Sequence, residues 1–169
     1  MITRRFAVAG AATAAAVLCV SRGWATSESA KDSFEITMTE EGWRQKLDPQ
    51  QYHVMREHGT ERAGTSPLDK VYAPGTYGCV ACDLPLFSST TKFNSRTGWP
   101  SFWDPIKDAK GYSVGRTSDK SIPFMVRTEV HCRRCGGHLG HVFDDGPKPT
   151  GLRYCINGVA LKFVPQTTG

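Results

Sequence analysis

The chain has 169 residues, enough for one domain with its own hydrophobic core and too few for two comfortable ones. Its formal charge is +5, but three of those positive charges, Arg4, Arg5 and Arg22, stand in the first 25 residues with no acid beside them, which leaves +2 for the remainder. That balance argues against nucleic acid as the partner, since its binders concentrate a basic face.

Residues 1–25 read as an export signal. Arg4 and Arg5 precede an apolar, alanine-rich run from Phe6 to Val20, and Gly23 and Ala25 offer small residues around a cleavage point. The run is short for a bilayer span, which takes about 20 residues. The paired arginines point to the Tat route, with Sec export as the alternative, and to a periplasmic protein without a stable membrane anchor. An uncleaved N-terminal anchor is the plainer alternative. Residues 26–38, TSESAKDSFEITM, are small and polar and read as a flexible leader; residues 39–169 form the domain.

Two short helices are expected first. TEEGWRQKL (39–47) puts Trp43 and Leu47 on one face, and Asp48-Pro49 is a helix start, an N-cap followed by proline at the first helical position. That second helix runs for two to three turns to Gly59. From Val71 onward short apolar or β-branched runs, among them KVYA, YGCVAC, PFMVRTEVHC, LRYCIN and VALKFV, alternate with Gly, Pro, Asn and Asp clusters. This predicts a mainly β domain of antiparallel strands.

Cys79-Val-Ala-Cys82 and Cys132-Arg-Arg-Cys135 are two CxxC units with 49 residues between them. Two such turns supply the tetrahedral thiolate set of a structural zinc site, closed to substrate. Gly78, Gly136 and Gly137 permit tight turns beside them. Disulfides, natural in an oxidising compartment, and a thioredoxin-type redox CxxC are the competing readings.

Cys155 is the cysteine left over. On a period of two, Arg153, Cys155 and Asn157 share a polar face, and Leu152, Tyr154 and Ile156 share the other. A neighbouring arginine favours the thiolate, the nucleophilic form. A buried cysteine acting as a small hydrophobe is the plainer alternative. Upstream, His138 and His141 are followed by Asp144 and Asp145. These imidazoles are suited to moving protons beside a thiolate, or they form a solvated surface pair.

LDPQQYHVMREHGTE, YGCVACDLPLF, KFNSRTGWPSFWDP, CRRCGGHLGHVFDDGPKPTG and RYCINGVALKF, in this order, resemble the methionine-R-sulfoxide reductases of the B type over residues 39–164. The resemblance implies two antiparallel sheets in one compact domain with short N-terminal helices. It also implies one structural Zn²⁺ held by Cys79, Cys82, Cys132 and Cys135, and reduction of the R epimer of methionine sulfoxide in oxidised proteins. Matched position by position, Cys155 is the nucleophile, Asn157 its neighbour and Arg153 the thiolate's support. His138, His141 and Asp145 form the wall that protonates the sulfoxide oxygen, and Trp99 receives the methyl group. Phe143 lines that pocket or packs in the core. Thr97 stands where many members carry a resolving cysteine, and Arg96 replaces the more usual glycine. The expected enzyme therefore forms a Cys155 sulfenic acid that an external thiol or thioredoxin-like protein reduces, with no intramolecular disulfide. A monomer is the default. An exported zinc-ribbon binding module is the alternative from another class, and the isolated Cys155 argues against it.

Overall fold

The structure is a computed structural model and describes residues 34–167. The export signal and residues 26–33 of the leader lie outside the described residues. Both helix starts follow from their capping residues. Thr39 accepts a hydrogen bond from the Gly42 N–H at 3.1 Å and opens α1 (Glu40–Lys46). Asp48 accepts from the N–H groups of Gln50 and Gln51 at 2.9 Å each, while the Gln51 side chain accepts from the Asp48 N–H at 3.1 Å. This capping box, with Pro49 at its first position, begins α2 (Pro49–Arg56). Trp43 and Leu47 are both buried, as their shared face predicts.

Eleven strands follow among the described residues. β1 (Gly75–Cys79), β2 (Pro85–Ser88) and β11 (Leu161–Pro165) form a three-stranded antiparallel sheet in the order β11-β1-β2. A six-stranded sheet runs in the order β3 (Lys92–Phe93), β4 (Ser101–Phe102), β10 (Arg153–Ile156), β9 (His138–Phe143), β8 (Met125–Cys132) and β7 (Val114–Ile122). β5 (Lys107–Asp108) and β6 (Gly111–Tyr112) make a separate small pair. Rings from both large sheets meet in the core: Phe87 of β2 stacks on Phe102 of β4 with centroids 4.4 Å apart, and Tyr77 of β1 meets the same ring edge-on at 5.0 Å.

One expected strand is absent. Lys70–Ala73 pairs with no strand; Ser66 instead caps a 3₁₀ turn over Pro67–Lys70. The segment serves Lys92, whose buried ammonium donates to the Asp69 carbonyl at 2.7 Å and lies 3.8 Å from the centre of the Tyr72 ring. Residues 34–38, the described end of the leader segment, run beside the second cysteine turn, where the Ile36 N–H donates to the Arg134 carbonyl at 2.9 Å. No described helix is long and apolar enough to cross a membrane.

Candidate active site

β10 carries Cys155 through the middle of the larger sheet. Tyr154 and Ile156 face the core with essentially no exposure, and Cys155 points the other way, half-buried. Antiparallel register then builds one row on that face. Ser101 lies opposite Cys155, Cys155 opposite His141, His141 opposite Glu129 and Glu129 opposite Thr117. The strands must come close for this. A methyl group on Gly140, one residue before His141, would lie 2.1 Å from the Cys155 carbonyl oxygen, so only glycine fits there.

Cys155 forms part of a cleft of about 130 Å³. This is smaller than the roughly 300 Å³ or more typical of cofactor and drug-sized ligand pockets, and it suits the end of a side chain. Trp99 and Phe143 give it apolar surface; His141, Arg127 and Asn157 give it polar groups. Burial pushes the Cys155 thiol up, against a hydrogen bond from Thr97 and the Arg153 charge, so the resting sulfur holds its proton. Arg153 acts on Cys155 by its charge and by a side-chain hydrogen bond, and is itself held from the far side: its guanidinium grips Asp145 with two contacts of 2.8 Å and lies 4.4 Å over the Phe143 ring. Asp145 thus anchors Arg153, and neither lines the cleft.

The two histidines differ. His141 Nε2 lies 2.8 Å from Asp119 Oδ2, and burial lowers its pKa more than that carboxylate raises it, which keeps the imidazole neutral at pH 7. The same Asp119 oxygen accepts from Arg127 at 2.6 Å. His138 is 2% exposed and does not line the cleft, but its ring lies 5.4 Å from that of His141, which does. Its Nδ1 is 2.7 Å from Glu129 Oε1, and its buried Nε2 has no partner among the described residues. Glu129 is pushed up by desolvation, yet His138, His58 and Thr117 together bring it down to about 2.

The four paired cysteines converge at the other end of β8 and β9. All four sulfurs lie within 4.8 Å of one another, and the closest pairs, Cys79 with Cys135 at 3.7 Å and Cys82 with Cys132 at 3.5 Å, each join one CxxC unit to the other. Sulfurs about 2.3 Å from a central zinc stand about 3.8 Å apart, so the buried cluster fits a tetrahedral metal ion. All four are free thiols, not disulfides. The two turns match. Cys79 N–H donates to the Leu84 carbonyl and Cys132 N–H to the Gly137 carbonyl, both at 2.9 Å, and each turn closes through a left-handed residue, Asp83 (φ 63°) and Gly136 (φ 68°). Gly78 is not needed for its conformation; an aspartate takes the left-handed place in the first turn.

Comparison with known proteins agrees with this geometry. The SelR domain family matches residues 47–165. A "Peptide methionine sulfoxide reductase MsrB" of Leptospira interrogans is 52% identical over 131 residues, covering 78% of this chain and 97% of its own. A protein of the same name from Pseudomonas putida is 54% identical over 132 residues, covering 78% of this chain and 96% of its own. The chain belongs to the methionine-R-sulfoxide reductase B family. A chloroplastic "Peptide methionine sulfoxide reductase B1" of Oryza sativa is 53% identical over 132 residues, which are 60% of that protein.

Several residues around this family member's cleft carry no signal in the sequence. Asp119 and Arg127 come from the β7–β8 hairpin, and Glu129 from β8. Glu61 comes from a polar loop: its N–H donates to Asn157 Oδ1 at 2.9 Å, its carbonyl accepts from Trp99 Nε1 at 3.1 Å, and its carboxylate accepts from the N–H groups of Gly158 and Val159. Arg96 holds φ 60°, a left-handed conformation that a glycine there adopts without strain.

Thr97 has its own circuit. Ser101 Oγ–H donates to the Trp99 carbonyl at 3.0 Å, Ser95 Oγ lies 2.7 Å from Ser101 Oγ and 2.8 Å from Thr97 Oγ1, and Thr97 Oγ1 lies 3.9 Å from Cys155 Sγ. Because Ser101 spends its proton on a carbonyl, Ser95 donates to Ser101, so the Ser95–Thr97 contact takes the Thr97 proton and Thr97 Oγ1 accepts from the Cys155 thiol. When the sulfur ionises, the Thr97 hydroxyl turns from Ser95 to donate to the thiolate. Thr97→Val is expected to slow iodoacetamide alkylation of Cys155 at pH 7 several-fold, and Thr97→Ser to preserve it, because a hydrogen bond to a charged group, about 1.5–3 kcal/mol, replaces a neutral one to Ser95, about 0.5–1.5 kcal/mol, a net effect on the order of 1 kcal/mol. An unchanged rate in the valine variant would remove this role.

Proposed function

We propose that this protein reduces the R epimer of methionine sulfoxide in oxidised proteins to methionine, through a Cys155 sulfenic acid. The observation that carries the reading is a half-buried thiol in a side-chain-sized cleft, with indole and phenyl surface beside an Asp119-bound imidazole. A methyl sulfoxide has an apolar end and a strongly accepting oxygen, and those two surfaces suit the two ends. A neutral His141 that donates Nε2–H to Asp119 has Nδ1 left as the proton acceptor.

Cys155 sulfur attacks the sulfoxide sulfur while its proton passes by way of His141 to the sulfoxide oxygen. The sulfur–oxygen bond of the substrate breaks, the oxygen moves to Cys155 as sulfenic acid, and methionine leaves. The thiol has lost two electrons and the sulfoxide has gained them. An external thiol then attacks the sulfenic sulfur and releases water, and a second thiol frees Cys155 from the mixed disulfide. Thr97 in place of a resolving cysteine supports an external donor, because every other free thiol among the described residues belongs to the four-cysteine cluster. That cluster is suited to zinc, which with four thiolates would brace the fold and offer no open position. The signal-like first 25 residues support export to the periplasm.

The test is turnover of separated R and S epimers of a methionine sulfoxide peptide with excess dithiothreitol. R-only activity is expected, and Cys155→Ser should lower it on the order of 10⁴-fold or more. Turnover of the S epimer, or an active serine variant, would overturn the reading. The pH profile is a second check. With the His141 pKa depressed, kcat/KM should hold at pH 7 and fall only below the ordinary imidazole range, where the ring takes up a proton. Asp119→Asn removes the partner that raises that pKa, so the acid limb should move to still lower pH while the plateau falls roughly 10–100-fold.

A further inference from the structure

A second constellation, separate from the four cysteines, lies next to His141. His58 follows α2 with φ 55°, Glu129 comes from β8 and His138 opens β9. Their ligand atoms all lie within 4.8 Å of one another. His58 Nδ1 is 3.0 Å and His138 Nδ1 2.7 Å from the same Glu129 oxygen, Oε1, and the two rings are 5.3 Å apart. The other Glu129 oxygen accepts from Thr117 Oγ1 at 3.0 Å, which fixes the carboxylate with Oε1 toward the imidazoles.

We propose that His58, Glu129 and His138 form a second, exchangeable site for a divalent transition-metal ion such as Zn²⁺, whose occupation inhibits the enzyme. Two imidazoles and one carboxylate are a donor set that zinc accepts while leaving a fourth position to water. Neutral imidazole and carboxylate ligands also suit copper and nickel. The site has an entrance, because the His58 side chain is 65% exposed while Glu129 and His138 are held inside. The Thr117 bond gives the carboxylate the outer support that metal-binding carboxylates need. Ligands about 2.0–2.1 Å from one zinc stand about 3.3 Å apart, so the 3.0 Å His58 contact opens by a small outward movement of that exposed ring, and the 2.7 Å His138–Glu129 hydrogen bond is exchanged for the ion.

Inhibition follows from position, and this half rests on the reductase reading. The His138 ring is 5.4 Å from the His141 ring, and Glu129 faces His141 directly in the strand register. A dication there opposes protonation of His141 and so weakens it as the acceptor of the Cys155 proton. His58 stays outside the reaction, so its removal separates metal response from catalysis.

The experiment uses protein whose four-cysteine site is already loaded with zinc. Binding of further Zn²⁺ is measured by calorimetry in the Cys155→Ser variant, so that the reactive thiol cannot serve as a ligand. One additional equivalent is expected, lost when His58→Ala is added. In protein with Cys155 intact, single-turnover formation of methionine without any thiol reductant avoids a competing chelator. Added Zn²⁺ should slow it at least tenfold, and His58→Ala should keep the metal-free rate and require at least tenfold more zinc for the same inhibition. No additional equivalent, or equal binding in the His58→Ala variant, overturns the site. Inhibition that persists in His58→Ala assigns the effect to zinc on Cys155 and overturns the regulatory role. A protein that never turns over R-sulfoxide defeats the reductase reading, while the calorimetry still decides the metal site.

Discussion

Removing the zinc proposed for the four-cysteine cluster is expected to unfold the domain rather than merely slow its turnover. The two cysteine turns belong to different sheets: Cys79 ends β1 of the smaller one, and Cys132 ends β8 of the larger. An ion held by both clamps the sheets at that end. In small zinc-binding units the apparent binding energy is about 10–16 kcal/mol, comparable to the whole stability of an ordinary domain, about 5–15 kcal/mol. Loss of even a third of it should lower Tm by roughly 15 °C or more, and Cys132→Ser should do the same. Because β8 and β9 also carry Glu129, His138 and His141, activity should vanish with the fold. The measurement is thermal unfolding with a zinc-specific chelator, beside metal analysis of the purified protein. A chelated sample that melts at its original temperature, yet is destabilised by reductant, would mean that the cysteines are held as disulfides.

Parts of this molecule that depend on neighbouring residues were legible in the sequence. Asp48-Pro49 announces α2 because capping is a matter of three or four residues. The CxxC spacing announces a cluster because each unit carries its own turn. The face of Cys155 follows from strand alternation alone, and the structure turns Tyr154 and Ile156 into the core and Cys155 out, as that alternation requires. Lys70–Ala73 shows where the pattern misleads. Its β-like composition serves a buried lysine 20 or so positions onward, and composition does not encode that partner. Glu61, Asp119 and Glu129 were invisible for the same reason. Each is an ordinary charged residue in a polar or exposed-looking segment, and its role comes from a partner brought by the fold. For Glu61 that partner is 97 residues away. The roles of Asp145 and His138 depend equally on such contacts: matched by resemblance to one polar wall, they stand as an anchor for Arg153 and as a buried partner of Glu129.

Glu61→Ala is expected to be the most damaging substitution outside the cysteines. Its side chain is 3% exposed, and burial pushes its carboxyl up while the Gly158 and Val159 N–H groups oppose the shift. Those two N–H groups open the 3₁₀ turn after Asn157 and have no other acceptor among the described residues. Orphaning a buried N–H costs about 1–3 kcal/mol, and of the two only the Gly158 bond is fully buried, so the alanine variant should lose about 1–4 kcal/mol in urea unfolding. The space gives no freedom to relax, since a methyl group on Gly158 would already meet Ser66 Oγ at 1.8 Å. Through its backbone the same residue holds Asn157 and the Trp99 indole, so a shifted loop moves two sides of the cleft at once. Misplacement by about 1 Å lowers rates on the order of 10²-fold, and the loss should appear in kcat/KM with a raised KM, because the shifted groups are the substrate-facing Trp99 and Asn157 while Cys155 and His141 stay on their strands. Glu61→Gln tests the charge separately. Its oxygen can accept from one N–H, but its NH₂ faces the other, so it should recover part of the stability and part of the rate. A glutamine variant as stable and active as the parent would mean that the carboxylate is dispensable, and that the backbone of this loop alone holds the cleft together.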